Sequence, residues 1–190
     1  DQDVKRFRHI SELFGGLEVA MVGIEVPDVF DPGFLKKLDT LTSDLRDTQG
    51  VDRVVSLTNL ADFEPDKVNR GIKAGELVDV RQFGKPGYLA GLRQRVLGKD
   101  HVVGQFVNPE GKATLVLCFL VPGVNQTQVT ARIKDAVRRT LPKEQIYWGG
   151  APFVASYIFS ATSRDLDRLT PYALVAIVLI SPAGFFMGIP

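Results

Sequence analysis

The final twenty residues, 171–190 (PYALVAIVLISPAGFFMGIP), carry no charged side chain; every Asp, Glu, Lys and Arg lies before them. A helix of that length rises about 30 Å, the thickness of a bilayer's hydrocarbon core. The stretch has no polar face to turn to water, as a surface helix would. It therefore predicts the start of a membrane helix rather than a buried core helix. Ser181-Pro182-Ala183-Gly184 predicts a break or kink halfway along, so 171–180 fit the helix better than 181–190. The remainder reads as a water-facing domain cut from a larger membrane protein. The chain opens at Asp1 with neither an initiator Met nor a signal peptide, and an earlier span is expected to precede it.

Charge narrows the function classes. With 23 basic and 22 acidic residues the net charge is +1, so no global field favours nucleic acid or anionic lipid. The densest basic cluster, Arg132, Lys134, Arg138 and Arg139, recurs at helical spacing and reads as a solvated helix face. A single cysteine, Cys118, excludes an internal disulfide and a Cys-based metal cage. It sits in an apolar run, 113–121, and is expected to be buried. The two histidines, His9 and His101, lack metal-ligand spacing.

Along the chain, residues 4–14 place Val4, Phe7, Ile10 and Phe14 on one helical face, and Gly15-Gly16 ends that helix. Residues 17–26 form a β-rich run. Asp31-Pro32 then supplies an N-cap and a first-turn proline, followed by Phe34, Leu35, Leu38, Leu41 and Leu45 at helical spacing, and 51–58 reads as a strand. Residues 60–100 break this rhythm and read as a helical insertion, with Phe63, Ile72, Leu77, Val80, Phe83 and Leu89 available for burial. Residues 102–107 and 112–121 flank the turn Asn108-Pro109-Glu110-Gly111, a hairpin signature. The second run is apolar throughout, as in a strand covered on both faces. Asn125 caps a helix with the stripe Val129, Ile133, Val137 and Leu141, and 145–148 is the last strand.

The two halves rhyme in pattern, not in residue identity. They predict an α+β fold of two ferredoxin-like βαβ subdomains. The division is a helical linker at 1–16, a first βαβ subdomain at 17–59 and the insertion at 60–100. A second α/β subdomain at 101–152, a connecting helix at 153–170 and the membrane helix at 171–190 complete it. Arg164, Asp165, Asp167 and Arg168 fall where water would meet the membrane.

Several segments carry a family likeness: Leu13-Phe14-Gly15-Gly16, Pro27-Asp28-Val29-Phe30-Asp31-Pro32, Gly50-Val51-Asp52-Arg53-Val54-Val55-Ser56-Leu57-Thr58, Asn108-Pro109-Glu110-Gly111-Lys112-Ala113-Thr114-Leu115, Tyr147-Trp148-Gly149-Gly150-Ala151-Pro152, and Ser163 to Pro171. In this order they resemble the first extracytoplasmic loop of RND-superfamily exporters, in the MMPL-like branch. The resemblance implies a porter-like periplasmic domain between the first and second spans of a proton-driven pump in the bacterial inner membrane. Substrates would be lipids or other hydrophobic molecules. Partners would be the rest of the transporter chain, including a second similar periplasmic domain, and possible further copies in a homo-oligomer. Proton-relay residues would lie in later spans.

No catalytic motif is present: there is no P-loop, GxGxxG after a strand, GxSxG or HExxH. In an acylphosphatase the loop after the first strand would bind an anion, whereas here it is acidic and apolar, Val26 to Asp31. The chain is therefore expected to be neither an enzyme nor a carrier of a cofactor or metal. The aromatics of the insertion, Phe63, Phe83 and Tyr88, are the candidates for lining a substrate path, with core burial as their competing fate. The alternative function is a membrane-tethered periplasmic binding or assembly module without transport, which a parent gene of one or two spans would favour over about twelve.

Overall fold

The computed structural model describes the backbone of residues 18–66 and 71–186, and their side chains except at 64–66, 71–74, 164, 165, 167, 168 and 173–186. The helix expected at 4–14, within the linker 1–16, lies outside the described residues.

Strand β1 (Val19–Glu25) leads into helix α1 (Pro32–Arg46). Asp31 caps that helix by accepting from the Phe34 N–H at 2.8 Å, and Pro32 occupies its first turn. The expected stripe is buried in full: Phe34, Leu35, Leu38, Leu41 and Leu45. Each fully buried Leu contributes about 1.5–3 kcal/mol of transfer free energy. Gly50 turns the chain into β2 (Val51–Val55) with φ at 95°, and a Cβ there would meet Val129 Cγ2 at 2.5 Å. Three buried hydroxyls hold α1 to the chain leaving β2. Thr42 pairs with Ser56 at 2.8 Å, and Ser56 with Thr58 at 3.1 Å.

The second unit repeats the plan. Strand β5 (Ala113–Leu120) is followed by helix α3 (Gln126–Thr140) and strand β6 (Gln145–Gly149). Asn125 caps α3 from its side chain at 3.2 Å, and Val129, Ile133, Val137 and Leu141 are buried as the spacing requires.

The two units do not build a sheet each. They share one four-stranded antiparallel sheet in the order β2-β5-β1-β6. β5 fills the slot between β1 and β2, and β1 the slot between β5 and β6, with Val22 opposite both Val116 and Trp148. The expected pair of separate subdomains is therefore corrected to one interleaved β-α-β-β-α-β body. The reason is that two strands alone make a sheet too small to stand in water, and interleaving supplies the missing neighbours. Helices α1 and α3 pack on one face over Ala20, Val22, Ile24, Val54, Val116, Cys118 and Leu120.

The region between β2 and β5 also differs from its expectation. It opens with a two-stranded hairpin, β3 (Ala61–Asp66) and β4 (Gly71–Glu76), before a 3-10 turn at Val80–Gln82 and helix α2 (Tyr88–Leu97). Glu64-Pro65 signals a break in a helix, yet proline is tolerated in a strand at a sheet edge, and both strands of a two-stranded sheet are edges. Leu77 is buried, Phe83 and Leu89 are half-buried against the core, and Phe63 is exposed; the Ile72 side chain lies outside the described residues. Residues 102–107 form no strand, only isolated bridges from Val103 to Val107 and from Val107 to Thr114. β2 already pairs with β5 as far as Leu117, leaving that edge of β5 open for only a few residues.

After β6, Gly150 turns the chain with φ at 89° into α4 (Ala151–Phe186), 36 residues long. Phe153 is buried beside Trp148, their rings 5.1 Å apart. Farther on, Tyr157, Phe159, Leu166, Leu169 and Tyr172 are exposed. The backbone stays helical through Pro171 and Pro182, so the break expected at 181–184 does not occur. Among the described residues no helix is long and apolar enough to cross a membrane. The expected membrane helix falls mostly outside that description: side chains from 173 onward and residues 187–190 are not included.

Candidate functional site

Two loops meet at the end of the sheet far from α4. The loop after β1 is tied to the turn before β5 by the Val26 N–H donating to the Lys112 carbonyl at 2.9 Å and the Val29 N–H to the Gly111 carbonyl at 2.8 Å. Beside them, α1 and the start of β6 enclose an open groove of about 930 Å³. Its floor is apolar, from Val26, Pro27 and Phe34, and its rim is charged.

The rim charges are partly spoken for. Lys37 Nζ donates to Glu144 Oε1 at 3.2 Å. Burial pushes the Glu144 carboxyl up, but hydrogen bonds from the Lys143 N–H and from Lys37 outweigh it and leave the pKa below the ordinary value. Tyr147 Oη donates to Glu25 Oε2 at 2.9 Å, and that bond raises the phenol's pKa. Asp28 is held from the insertion: Arg93 Nη1 donates to Asp28 Oδ1 at 3.2 Å and Nη2 to the Glu110 carbonyl at 2.9 Å. The Arg93 guanidinium also lies 5.2 Å from the Phe30 ring centre. One side chain of α2 thus grips both loops at the groove. Lys112 and Lys143 are exposed and form no ion pair among the described residues.

The aromatic candidates from sequence divide into two places. Phe83 and Tyr88 sit together, ring centres 5.9 Å apart, half-buried against the core. Tyr88 Oη accepts from the Asp79 N–H at 2.8 Å, and Arg95 lies 4.9 Å from its ring centre. Asp79 accepts from Arg81 Nε at 2.8 Å and from Gln82 Nε2 at 2.9 Å. The Arg81 hydrogen bond, with the others, brings the Asp79 carboxyl down to about 2. Phe63 is separate, 66% exposed on β3. Asp62 beside it pairs with Lys99 Nζ, which pins the base of the hairpin to the segment following α2.

Neither the groove nor the Arg93 grip is visible in the sequence, because their residues come from segments tens of positions apart. The only local signal is the pair of Pro-containing turns at 27 and 109. Chemically, an apolar floor within a rim of both charge signs suits an amphipathic ligand or a protein segment. Cys118 is buried in β5, and burial pushes its thiol up to about 12. Among known proteins, no family model and no curated sequence matches the chain.

Proposed function

We propose that the chain is a periplasmic, porter-like domain of an RND-type exporter of the MMPL-like branch, moving lipids or other hydrophobic molecules at the expense of a proton gradient. Its body is a ferredoxin-like sandwich, and the far part of α4 is the start of the exporter's second membrane span. The partners are the remainder of the transporter, with a second domain of the same kind.

The observation that carries this reading is α4. It starts on the domain at Ala151 and continues as one helix into the charge-free stretch that begins at Pro171. The exposed Tyr157, Phe159, Leu166 and Leu169 give it an apolar surface before that stretch is reached. Prolines inside a helix, as at 171 and 182, are commoner in membrane spans than in water-exposed helices. Val19 of β1 and Gly149 of β6 lie at one end of the sheet, so the chain enters β1 and leaves β6 at the same end. That suits a domain inserted between two spans. The path for apolar substrate would pass Phe63 and the Phe83–Tyr88 pair, with the domain tilting or shearing as the membrane helices move.

The test has two arms. The 190-residue chain should float with liposomes, and deletion of 171–190 should abolish flotation while leaving the urea midpoint unchanged. Inverted vesicles bearing the full parent protein should accumulate a fluorescent lipid only while a proton gradient is maintained. Flotation that survives the deletion would refute the membrane assignment, and gradient-independent uptake would refute the pump.

A further inference from the structure

The four-stranded sheet ends in β2 on one side and β6 on the other, and the two edges are treated differently. On β2 the register shifts between Val51 and Arg53, an irregularity of the kind that blunts an edge. Beside it, Asn59 Nδ2 donates to the Val54 carbonyl at 2.8 Å, and Asn59 Oδ1 accepts from the Ser56 N–H at 2.7 Å. A further strand finds that edge closed. β6 has none of these devices: Gln145-Ile146-Tyr147-Trp148-Gly149 holds no proline and no charge, and its register with β1 is unbroken.

The ladder fixes which backbone groups of β6 point outward. The Leu120 N–H donates to the Glu18 carbonyl and the Val26 N–H to the Lys112 carbonyl, so the even-numbered residues of β1 bond toward β5. The odd ones, Met21, Gly23 and Glu25, then bond toward Gly149, Tyr147 and Gln145. Ile146 and Trp148 are left with N–H and C=O turned to the open side, and neither has a backbone partner there among the described residues. Their side chains lie on the helix side of the sheet, opposite the buried Ile24 and Val22.

Two cations of α3 flank this edge. Lys134 Nζ lies 5.7 Å from the Trp148 ring centre, and Arg138 follows one turn later on the same side of the helix. Neither is in an ion pair among the described residues. Glu144, next to β6, is taken by Lys37, and Glu25 is held by Tyr147 on the other face of the sheet. Four helix residues rise about 6 Å and two strand residues about 6.6 Å. Lys134 and Arg138 are therefore spaced as Trp148 and Ile146 are.

We propose that the open edge of β6 binds an extended acidic segment of another polypeptide, which joins the sheet as a fifth strand. Its backbone pairs with the N–H and C=O groups of Ile146 and Trp148, and acidic side chains two residues apart on it meet Lys134 and Arg138. The unpaired backbone groups specify a strand, and the unpaired cations specify its charge. The inference requires nothing of the transport reading.

The probe is a dye-labelled peptide, TEVEVET, titrated with the full 190-residue chain in non-ionic detergent and followed by anisotropy. The expected result is saturable binding with a Kd of about 100 µM. It should weaken with added salt and shift the emission of Trp148, the one tryptophan of the chain. Methylating the glutamate amide nitrogens removes the donors that face β6 and should weaken binding at least about tenfold, whereas methylating the valine nitrogens should change it less than about threefold. Arg138→Glu should weaken it about fivefold, and Lys134→Glu with Arg138→Glu should turn the preference to TKVKVKT. Ile146→Pro removes an outward N–H that the ladder to β1 does not use and should abolish binding. Urea midpoints verify folding, and the methylated peptides carry the test if Ile146→Pro unfolds. No binding up to about 1 mM overturns the proposal. Equal binding of the two methylated forms overturns strand addition, and equal binding of TKVKVKT to the parent chain overturns the acidic partner. A chain that dimerises through β6 and excludes the peptide overturns it in favour of a second copy.

Discussion

Arg93 and Asp28 are 65 residues apart in sequence and 3.2 Å apart in space, and their contact ties the insertion to the rim of the groove. Both side chains are about half exposed, so the ion pair alone contributes little. The bond to the Glu110 carbonyl and the stacking on Phe30 add to it. Arg93→Ala should cost about 1 kcal/mol by urea denaturation. Limited proteolysis should cut within 60–112 faster in the variant, before global unfolding. Asp28→Asn, which spares the carbonyl bond and the stacking, should cost less.

The aromatic candidates should separate by stability. Phe83→Ala opens a half-buried satellite of the core and should cost about 2 kcal/mol. Phe63→Ala, at an exposed site, should stay within about 0.5 kcal/mol of the parent. On the proposed exporter reading, vesicles bearing the full parent protein should nevertheless take up lipid more slowly with Phe63→Ala if the hairpin lines the path. Unchanged uptake would remove Phe63 from it.

Asp79 gives stability a definite pH dependence. Its carboxyl sits at about 2 in the fold against an ordinary 3.8, mainly through the Arg81 hydrogen bond. A group whose pKa falls on folding stabilises fully above its unfolded value and loses that contribution as pH drops toward the folded one. The Asp79 contribution should thus be intact above about pH 5 and vanish between about pH 4 and 2. Arg81 is largely exposed, which screens the pair, so Asp79→Asn should cost about 1 kcal/mol at neutral pH. Urea midpoints measured down the acid limb should converge for parent and variant.

Cys118 should report unfolding. The thiol is fully buried and held protonated at neutral pH, while alkylation requires an exposed thiolate. Iodoacetamide should label the native chain about a thousandfold more slowly than the urea-unfolded chain. Fast native labelling would mean that β5 opens readily.

Gly150 should tolerate no side chain. A Cβ there would collide with the Val19 carbonyl oxygen, and φ is 89°. Gly150→Ala should cost about 3 kcal/mol or more, or prevent folding. A shift in the urea midpoint equivalent to under about 1 kcal/mol would show that the junction of β6 and α4 can relax.

What was legible in the sequence was local. Asp31 and Asn125 mark the starts of α1 and α3, and the apolar spacing after each names the buried stripe residue by residue. Strand neighbours are not local: Val22 meets Val116 nearly a hundred positions away, and nothing near either residue distinguishes two small sheets from one shared sheet. Pro65 hid the β3–β4 hairpin because the same residue that stops a helix is permitted at a sheet edge. The groove leaves no local trace because its floor and rim are assembled by long-range pairing of two turns. Conversely, the apolar run of β5 carries more information than its position in the sheet accounts for, since it marks both faces of the strand.

The adjacency of β1 and β6 has a mechanical consequence. The strands are antiparallel neighbours, and the chain enters one and leaves the other at the same end, where Met21 lies opposite Gly149. Tension that draws those two ends apart acts along the inter-strand hydrogen bonds, which run across the strands. The ladder then unzips one pair at a time toward Glu25 and Gln145, instead of shearing as a block. A domain held in this way yields at low force from its tethered end, while the groove at the far end is the last part of that seam to open.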